Sequence, residues 1–345
     1  MNFKRNAVAL ATLWGSLAGA AVAADEVVLK VHHFLPPSAT AHKNFIEPWC
    51  AKIAAESAGR LKCQIYPAMS LGGTPPQLFD QAKDGIADIV WTVPGYQGGR
   101  FPVTELFELP FITRSAERSS PVVWNILTKY AGDEYKPVKP LIFHVHDGAQ
   151  LHTTSKPIKV LADFQGMKLR APTRQSTRLL KELGATPIGM PAPQVTEALS
   201  KGVVDGAMLP WEVVPPLKVH EVVKFHTETD ESMPMLSNTV FVFAMNPARY
   251  EKLPPELKKV IDANSGVEAS AWVGKVFDEA RVVGRKQAQE RGNVMYEVPA
   301  AERTGWLVAG ERVAAQWVEE TAAKGLPAKD ILAEAKAAIN ARQGH

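Results

Sequence analysis

Apolar and polar positions along the first hundred residues alternate between two periods. Val27–His32 (VVLKVH) is β-branched and reads as a strand. Pro36 and Pro37 break it, and a helical pattern covers His42–Ala58. Leu61–Tyr66 is a second strand, ended by Pro67. Pro75–Asp84 reads as a helix stopped by Gly85, and the mostly apolar Ile86–Thr92 as a strand covered on both faces. The β-α-β-α-β order predicts a parallel α/β sheet.

The pattern recurs. Met167–Ala171 is a strand ended by Pro172, Thr177–Leu183 a helix stopped by Gly184, and Thr186–Met190 a strand. Gln194–Lys201 is a helix stopped by Gly202, followed by the strand Val203–Leu209. Aligning QLFDQAKDGIADIVW with QVTEALSKGVVDGAML puts Gln77 on Gln194, Gly85 on Gly202 and Asp88 on Asp205. Two copies of one α/β unit explain the match better than chance. Thr239–Met245 is a further apolar strand. After Pro254 and Pro255 a single helical pattern reaches about Arg291, with Gly266, Gly274 and Gly284 as its weak points. Helices over about Ala300–Lys324 and Pro327–Arg342 complete a helical C-terminal third.

The N-terminus follows another rule. Lys4 and Arg5 precede an uncharged run, Ala7–Ala23, that ends in Ala-Val-Ala. This reads as a secretory signal peptide over residues 1–23; as a membrane anchor it falls short of the ~20 apolar residues a span needs. Export into an oxidising compartment makes the two cysteines, Cys50 and Cys63, a candidate disulfide, with two buried thiols as the alternative.

Composition narrows the function. At 345 residues, 46% hydrophobic and 22% charged, the chain is an ordinary globular one with room for two lobes. Thirty-nine basic against 36 acidic residues give +3, which is no nucleic-acid footprint. No stretch after the leader reaches membrane length. The motifs G-x-S-x-G, H-E-x-x-H, G-x-x-x-x-G-K-[ST] and G-x-G-x-x-G are absent, so no enzyme is expected. His32 and His33 point to opposite faces of a strand and cannot easily share an ion; neither metal nor cofactor is expected. His144, His146 and His152 read as packing residues.

Ligands of open α/β sheets lie beyond the carboxyl ends of the strands. Here those ends are His32–Pro37, Trp91–Tyr96, Arg170–Thr173 and Met208–Trp211. Arg170 lies in an apolar strand just before Pro172, and its planar fork matches a carboxylate. Two readings stand for it: a grip on an anionic ligand, or an internal ion pair.

The strings DFQGMKLRAP (163–172), GATPIGM (184–190) and ALSKGVVDGAMLP (198–210) resemble the DctP-type solute-binding subunit of tripartite ATP-independent periplasmic (TRAP) transporters. YPAMSLGG (66–73), DGIADIVW (84–91) and FELPF (107–111) extend the resemblance over nearly all the mature chain. It implies a type II-like two-lobed periplasmic binding protein. Lobe I would hold residues 24–147 plus about 237–275, and lobe II 148–236 plus about 276–300. Residues 301–345 would pack on the lobes as helices. It also implies a periplasmic location and a partnership with the small and large permease subunits.

By the same resemblance Arg170 grips the ligand carboxylate and Thr173 adds a polar contact. Sialic-acid-type members carry an Arg where this chain has Gln150 and an Asn where it has Leu209, which argues against a sugar acid. Phe34, Trp91, Tyr96, Met208, Leu209 and Trp211 would give the cleft an apolar, aromatic lining, with Gln150, Thr173 and Asn238 as hydrogen-bonding groups. The expected ligand is therefore an aromatic or 2-oxo/2-hydroxy monocarboxylate. A C4-dicarboxylate or sugar acid, an exported enzyme, and a ligand-sensing periplasmic protein are the alternatives.

Overall fold

The computed structural model describes residues 26–229 and 233–343; the proposed leader lies outside them. Its strands are β1 (Val27–His33), β2 (Leu61–Tyr66), β3 (Ile89–Thr92), β4 (Lys139–Val145), β5 (Ala149–Thr153), β6 (Lys168–Ala171), β7 (Thr186–Gly189), β8 (Gly206–Pro210), β9 (Phe225–Glu228), β10 (Val240–Met245) and β11 (Val294–Glu297). Its helices are α1 (Glu47–Glu56), α2 (Leu78–Lys83), α3 (Ala116–Tyr130), α4 (Gly132–Tyr135), α5 (Arg174–Glu182), α6 (Val195–Ser200), α7 (Pro247–Glu251), α8 (Pro255–Ala263), α9 (Val267–Glu290), α10 (Arg303–Ala322) and α11 (Ala328–Gln343).

Two sheets form the cores of two lobes. One has the order β2-β1-β3-β10-β4, the other β11-β9-β5-β8-β6-β7. Neither is purely parallel, contrary to the expectation from the β-α-β pattern. β10 lies antiparallel between β3 and β4, and β5 lies antiparallel between β8 and β9. The chain passes to the second sheet between β4 and β5 and returns between β9 and β10. Each return inserts a strand of opposite direction, which local periodicity does not reveal. The central strands β3, β8 and β10 are buried at every residue, as strands covered on both faces must be.

The internal repeat is real in three dimensions. The Gly85 and Gly202 backbones take positive φ, +74° and +68°, after α2 and α6. Ile86 N–H donates to Gln81 O and Val203 N–H to Ala198 O, both at 2.9 Å. The aspartate that follows accepts a backbone N–H of the neighbouring parallel strand: Asp88 from Lys30 and Asp205 from Lys168, each at 2.8 Å. A short helix, a left-handed glycine and a carboxylate brace thus enter each unit's last strand in the same way.

The helical pattern after Pro255 is two helices, not one. Gly266, at φ +88°, turns the chain between α8 and α9. Gly274 and Gly284 lie inside α9 and serve packing instead. A Cβ on Gly274 would stand 2.3 Å from the Ala116 carbonyl oxygen at the start of α3, and one on Gly284 2.2 Å from that of Trp211. α9 therefore touches one lobe at α3 and the other just after β8. The C-terminal helices divide similarly: Glu334 of α11 pairs with Lys129 of α3, and Glu320 of α10 with Arg174 and Arg178 of α5. Cys50 of α1 and Cys63 of β2 form a disulfide. Among the described residues no helix is long and apolar enough to cross a membrane.

Candidate ligand-binding site

The carboxyl ends of β1, β3, β6 and β8 converge on one cavity between the sheets, partly open to solvent. The first sheet supplies Phe34, Leu35, Val93 and Tyr96, and Thr239 and Phe241 arrive with β10. The second sheet supplies Ala149, Arg170, Pro172 and Met208–Pro210, followed by Glu212 and Val213. Ala192 and His146 complete the wall.

Arg170 is the cation of this cavity. It is 1% exposed, and its side chain is tethered at two points. Nε donates to the Met190 carbonyl at 2.9 Å and Nη1 to the Met208 carbonyl at 2.7 Å. These tethers hold the plane of the guanidinium while using only part of its donor fork. Among the described residues no carboxylate forms an ion pair with it, so the internal-salt-bridge reading has no partner. Burial draws its pKa down to about 10, with the adjacent Tyr96 opposing the shift, so the group keeps its charge at neutral pH. A buried cation without a counter-ion is costly, and an entering anion relieves that cost.

The remaining polar groups are few. His146 accepts the Gly148 N–H on Nδ1 at 3.0 Å, and burial holds its pKa near 3. The ring is neutral, with its proton on Nε2 as a donor. The Tyr96 hydroxyl accepts the Ala192 N–H at 3.1 Å, joining a turn of the first lobe to a loop of the second. Glu212 is 4% exposed, and its Oε2 has no hydrogen-bond partner among the described residues. Burial, reinforced by Asp147, raises its pKa well above the ordinary carboxyl range.

Of the residues expected at the site, Arg170, Phe34, Tyr96, Met208 and Leu209 line this cavity. The other five do not. Trp91 stands behind the wall, stacked on Phe34 (5.0 Å between centroids) and Phe241 (4.6 Å), with its indole N–H on His144. Trp211 turns to Glu228, its indole N–H 2.8 Å from Oε1, and packs edge-to-face with His152. Asn238 clamps the two strand crossings: its Oδ1 accepts the His146 N–H, and its Nδ2 donates to the His146 carbonyl and to Thr113. Thr173 precedes α5 and lines an adjoining groove with Gly95, Gly98, Arg174 and Met190. Gln150 is buried on β5 opposite Leu209. His146, Glu212, Phe241 and Thr239 line the cavity without having been singled out as ligand contacts. For His146 the available signal was Asp147-Gly148, a turn that throws the chain from one sheet to the other.

Glu105 of the first lobe accepts from Arg174 (3.1 Å) and Gln175 (2.7 Å) of α5, which ties the two lobes together. Among the described residues no group of three His, Cys, Asp or Glu could hold a metal ion.

This architecture has known counterparts. A TRAP solute-binding protein from Rhodoferax ferrireducens, in complex with copurified benzoate, is 45% identical over 92% of this chain and 98% of its own, with a TM-score of 0.90. A marine metagenome TRAP solute-binding protein specific for aromatic acid ligands, in complex with 3-hydroxybenzoate, is 44% identical over 92% and 99%, also at 0.90. A TRAP periplasmic solute-binding protein from Bordetella bronchiseptica, with bound (R)- and (S)-mandelate, is 27% identical over 91% and 99%, at 0.84. The family model for bacterial extracellular solute-binding protein, family 7 (DctP), matches residues 31–321, and the chain belongs to that family.

Proposed function

We propose that the protein captures an aromatic monocarboxylate, including 2-oxo or 2-hydroxy forms, and presents it to the small and large subunits of a TRAP permease. The periplasm is its place of action, and binding without turnover is its role. The observation that carries this reading is Arg170: a buried, tethered guanidinium without an ion-pair partner among the described residues, in a mainly apolar cavity. The carboxylate enters as its counter-ion, and the ring lies among Phe34, Phe241 and Val93. Aromatic pairs add about 0.5–1.5 kcal/mol beyond burial. The ligands of the three similar structures are all aromatic acids, which supports the same reading.

The alternatives fit less well. A sugar acid would bring several hydroxyls into a wall with few polar partners, at about 1–3 kcal/mol for each left unpaired. A C4-dicarboxylate needs a second cation, and among the described residues Arg170 is the one Arg or Lys in the lining.

The test is a thermal-shift panel on residues 24–345 with benzoate, hydroxybenzoates, mandelate, benzoylformate, C4-dicarboxylates and sugar acids. A ligand at a hundredfold excess over its Kd stabilises by about 2.7 kcal/mol. Shifts among the aromatic acids support the reading; shifts confined to dicarboxylates or sugar acids overturn it.

A further inference from the structure

Glu212 has no place in the account so far, yet it faces the cavity. It belongs to the single helical turn Trp211–Val213, which is fixed on three sides. The Trp211 N–H donates to Asp147 Oδ2 at 3.1 Å, and its indole donates to Glu228. Its carbonyl rests on Gly284 of α9, where a Cβ would not fit. The turn is therefore held firmly, and it sets Glu212 into the lining. There the side chain is nine-tenths buried with Oε2 unpartnered, an arrangement that native proteins rarely leave without purpose. No ion pair joins it to Arg170, although both line the same cavity.

We propose that Glu212 is a specificity-determining residue: it hydrogen-bonds an uncharged oxygen substituent, a hydroxyl or keto group, on an aromatic acid whose carboxylate is held by Arg170. This rests on the aromatic-acid reading and sharpens it. A free carboxylate beside an entering anion would repel it. Burial and the neighbouring Asp147 both favour the protonated acid, which donates one hydrogen bond and accepts another. A protonated carboxyl can meet either a keto oxygen or a hydroxyl. Plain benzoate would leave it unpaired.

The test is calorimetric titration of benzoate, the three monohydroxybenzoates, mandelate and benzoylformate into the wild type, Glu212→Gln and Glu212→Leu. Thermal melting first establishes that each variant folds, with Glu212→Ala replacing a leucine variant that does not. The reading is the ratio of benzoate Kd to the best oxygen-substituted Kd. We expect at least fivefold in the wild type, a ratio within twofold of unity in the leucine or alanine variant, and substantial retention in Glu212→Gln, which keeps hydrogen-bonding groups in the same shape. A wild type without preference overturns the proposal, as does a preference unchanged by leucine or alanine. If no aromatic acid binds the wild type at all, the parent reading has failed, a distinguishable result.

Discussion

Removing the Arg170 charge should lower affinity while leaving the stability of the empty protein nearly unchanged. In Arg170→Met the ligand carboxylate loses its charged hydrogen bonds, each worth about 1.5–3 kcal/mol. It also stays buried without a counter-ion, which adds to the loss. A tenfold loss, about 1.4 kcal/mol, is the floor, and a hundredfold or more is expected. The empty protein feels other terms. Met190 O and Met208 O lose their donor, at about 1–3 kcal/mol each if they stay unpaired. Against this, an unpaired buried cation disappears. These terms offset, so the empty variant should melt close to the wild type while ligand-induced stabilisation collapses. Arg170→Lys should also bind poorly, because an ammonium cannot reach both carbonyls and a carboxylate in the plane of the fork. Titration with benzoate and melting with and without ligand measure both quantities. Affinity within threefold of wild type in Arg170→Met would refute the assigned grip.

Stability should peak in mildly acidic solution. Burial pushes the pKa values of His33, His144 and His146 down to about 3 and that of His226 to about 4, so acidification protonates the unfolded chain first and destabilises the fold below their ordinary 6.5. Burial pushes Glu108 and Asp147 up to about 8 and Glu134 to about 7; alkalinisation then ionises the unfolded chain first, and each group costs about 1.4 kcal/mol per pH unit up to its folded pKa. Above pH 6.5 only the carboxyls act, so the melting temperature should fall towards pH 8 and fall less in Glu108→Gln; a rise over that interval contradicts the argument. Replacing Cys50 and Cys63 by Ser opens a loop with a sequence separation of 13 and should cost about 3 kcal/mol in denaturant unfolding; an unchanged midpoint would show that the bridge contributes nothing. Gly284→Ala should destabilise by about 1–3 kcal/mol, because the new methyl meets backbone rather than a movable side chain. Stabilisation by that change would mean the helix has room to shift.

The sequence disclosed what is local and periodic. The glycine-stopped helices and the matched positions of Asp88 and Asp205 were legible because one short string carries the helix, the turn and the strand entry; the bonds those aspartates make were not. Strand direction was not, because β10 and β5 take theirs from chain returns far away in sequence. Nor could the pattern rank Gly266, Gly274 and Gly284. One turns the chain and the others admit a neighbouring backbone, and only φ and contact separate these roles. At the site, Arg170 was legible as a charge in an apolar strand before proline. Trp211 and Glu212 show the limit: adjacent residues in a tight turn point apart, and the aromatic, the natural choice for a ring-binding wall, goes to Glu228 while the acid enters the cavity.

α9 gives the molecule a spar of fixed length. Its seats at Gly274 and Gly284 stand about 15 Å apart along the axis, at about 1.5 Å per residue, and the peptide bonds between them do not stretch. One seat belongs to each lobe. Any parting of the lobes that keeps both seats packed pivots about them and leaves the backbone spacing there nearly constant. Displacement then grows with distance from the spar. A partner resting along α9 would sense little of such a motion, whereas one spanning the contacts of Arg174 and Gln175 with Glu105 would sense more.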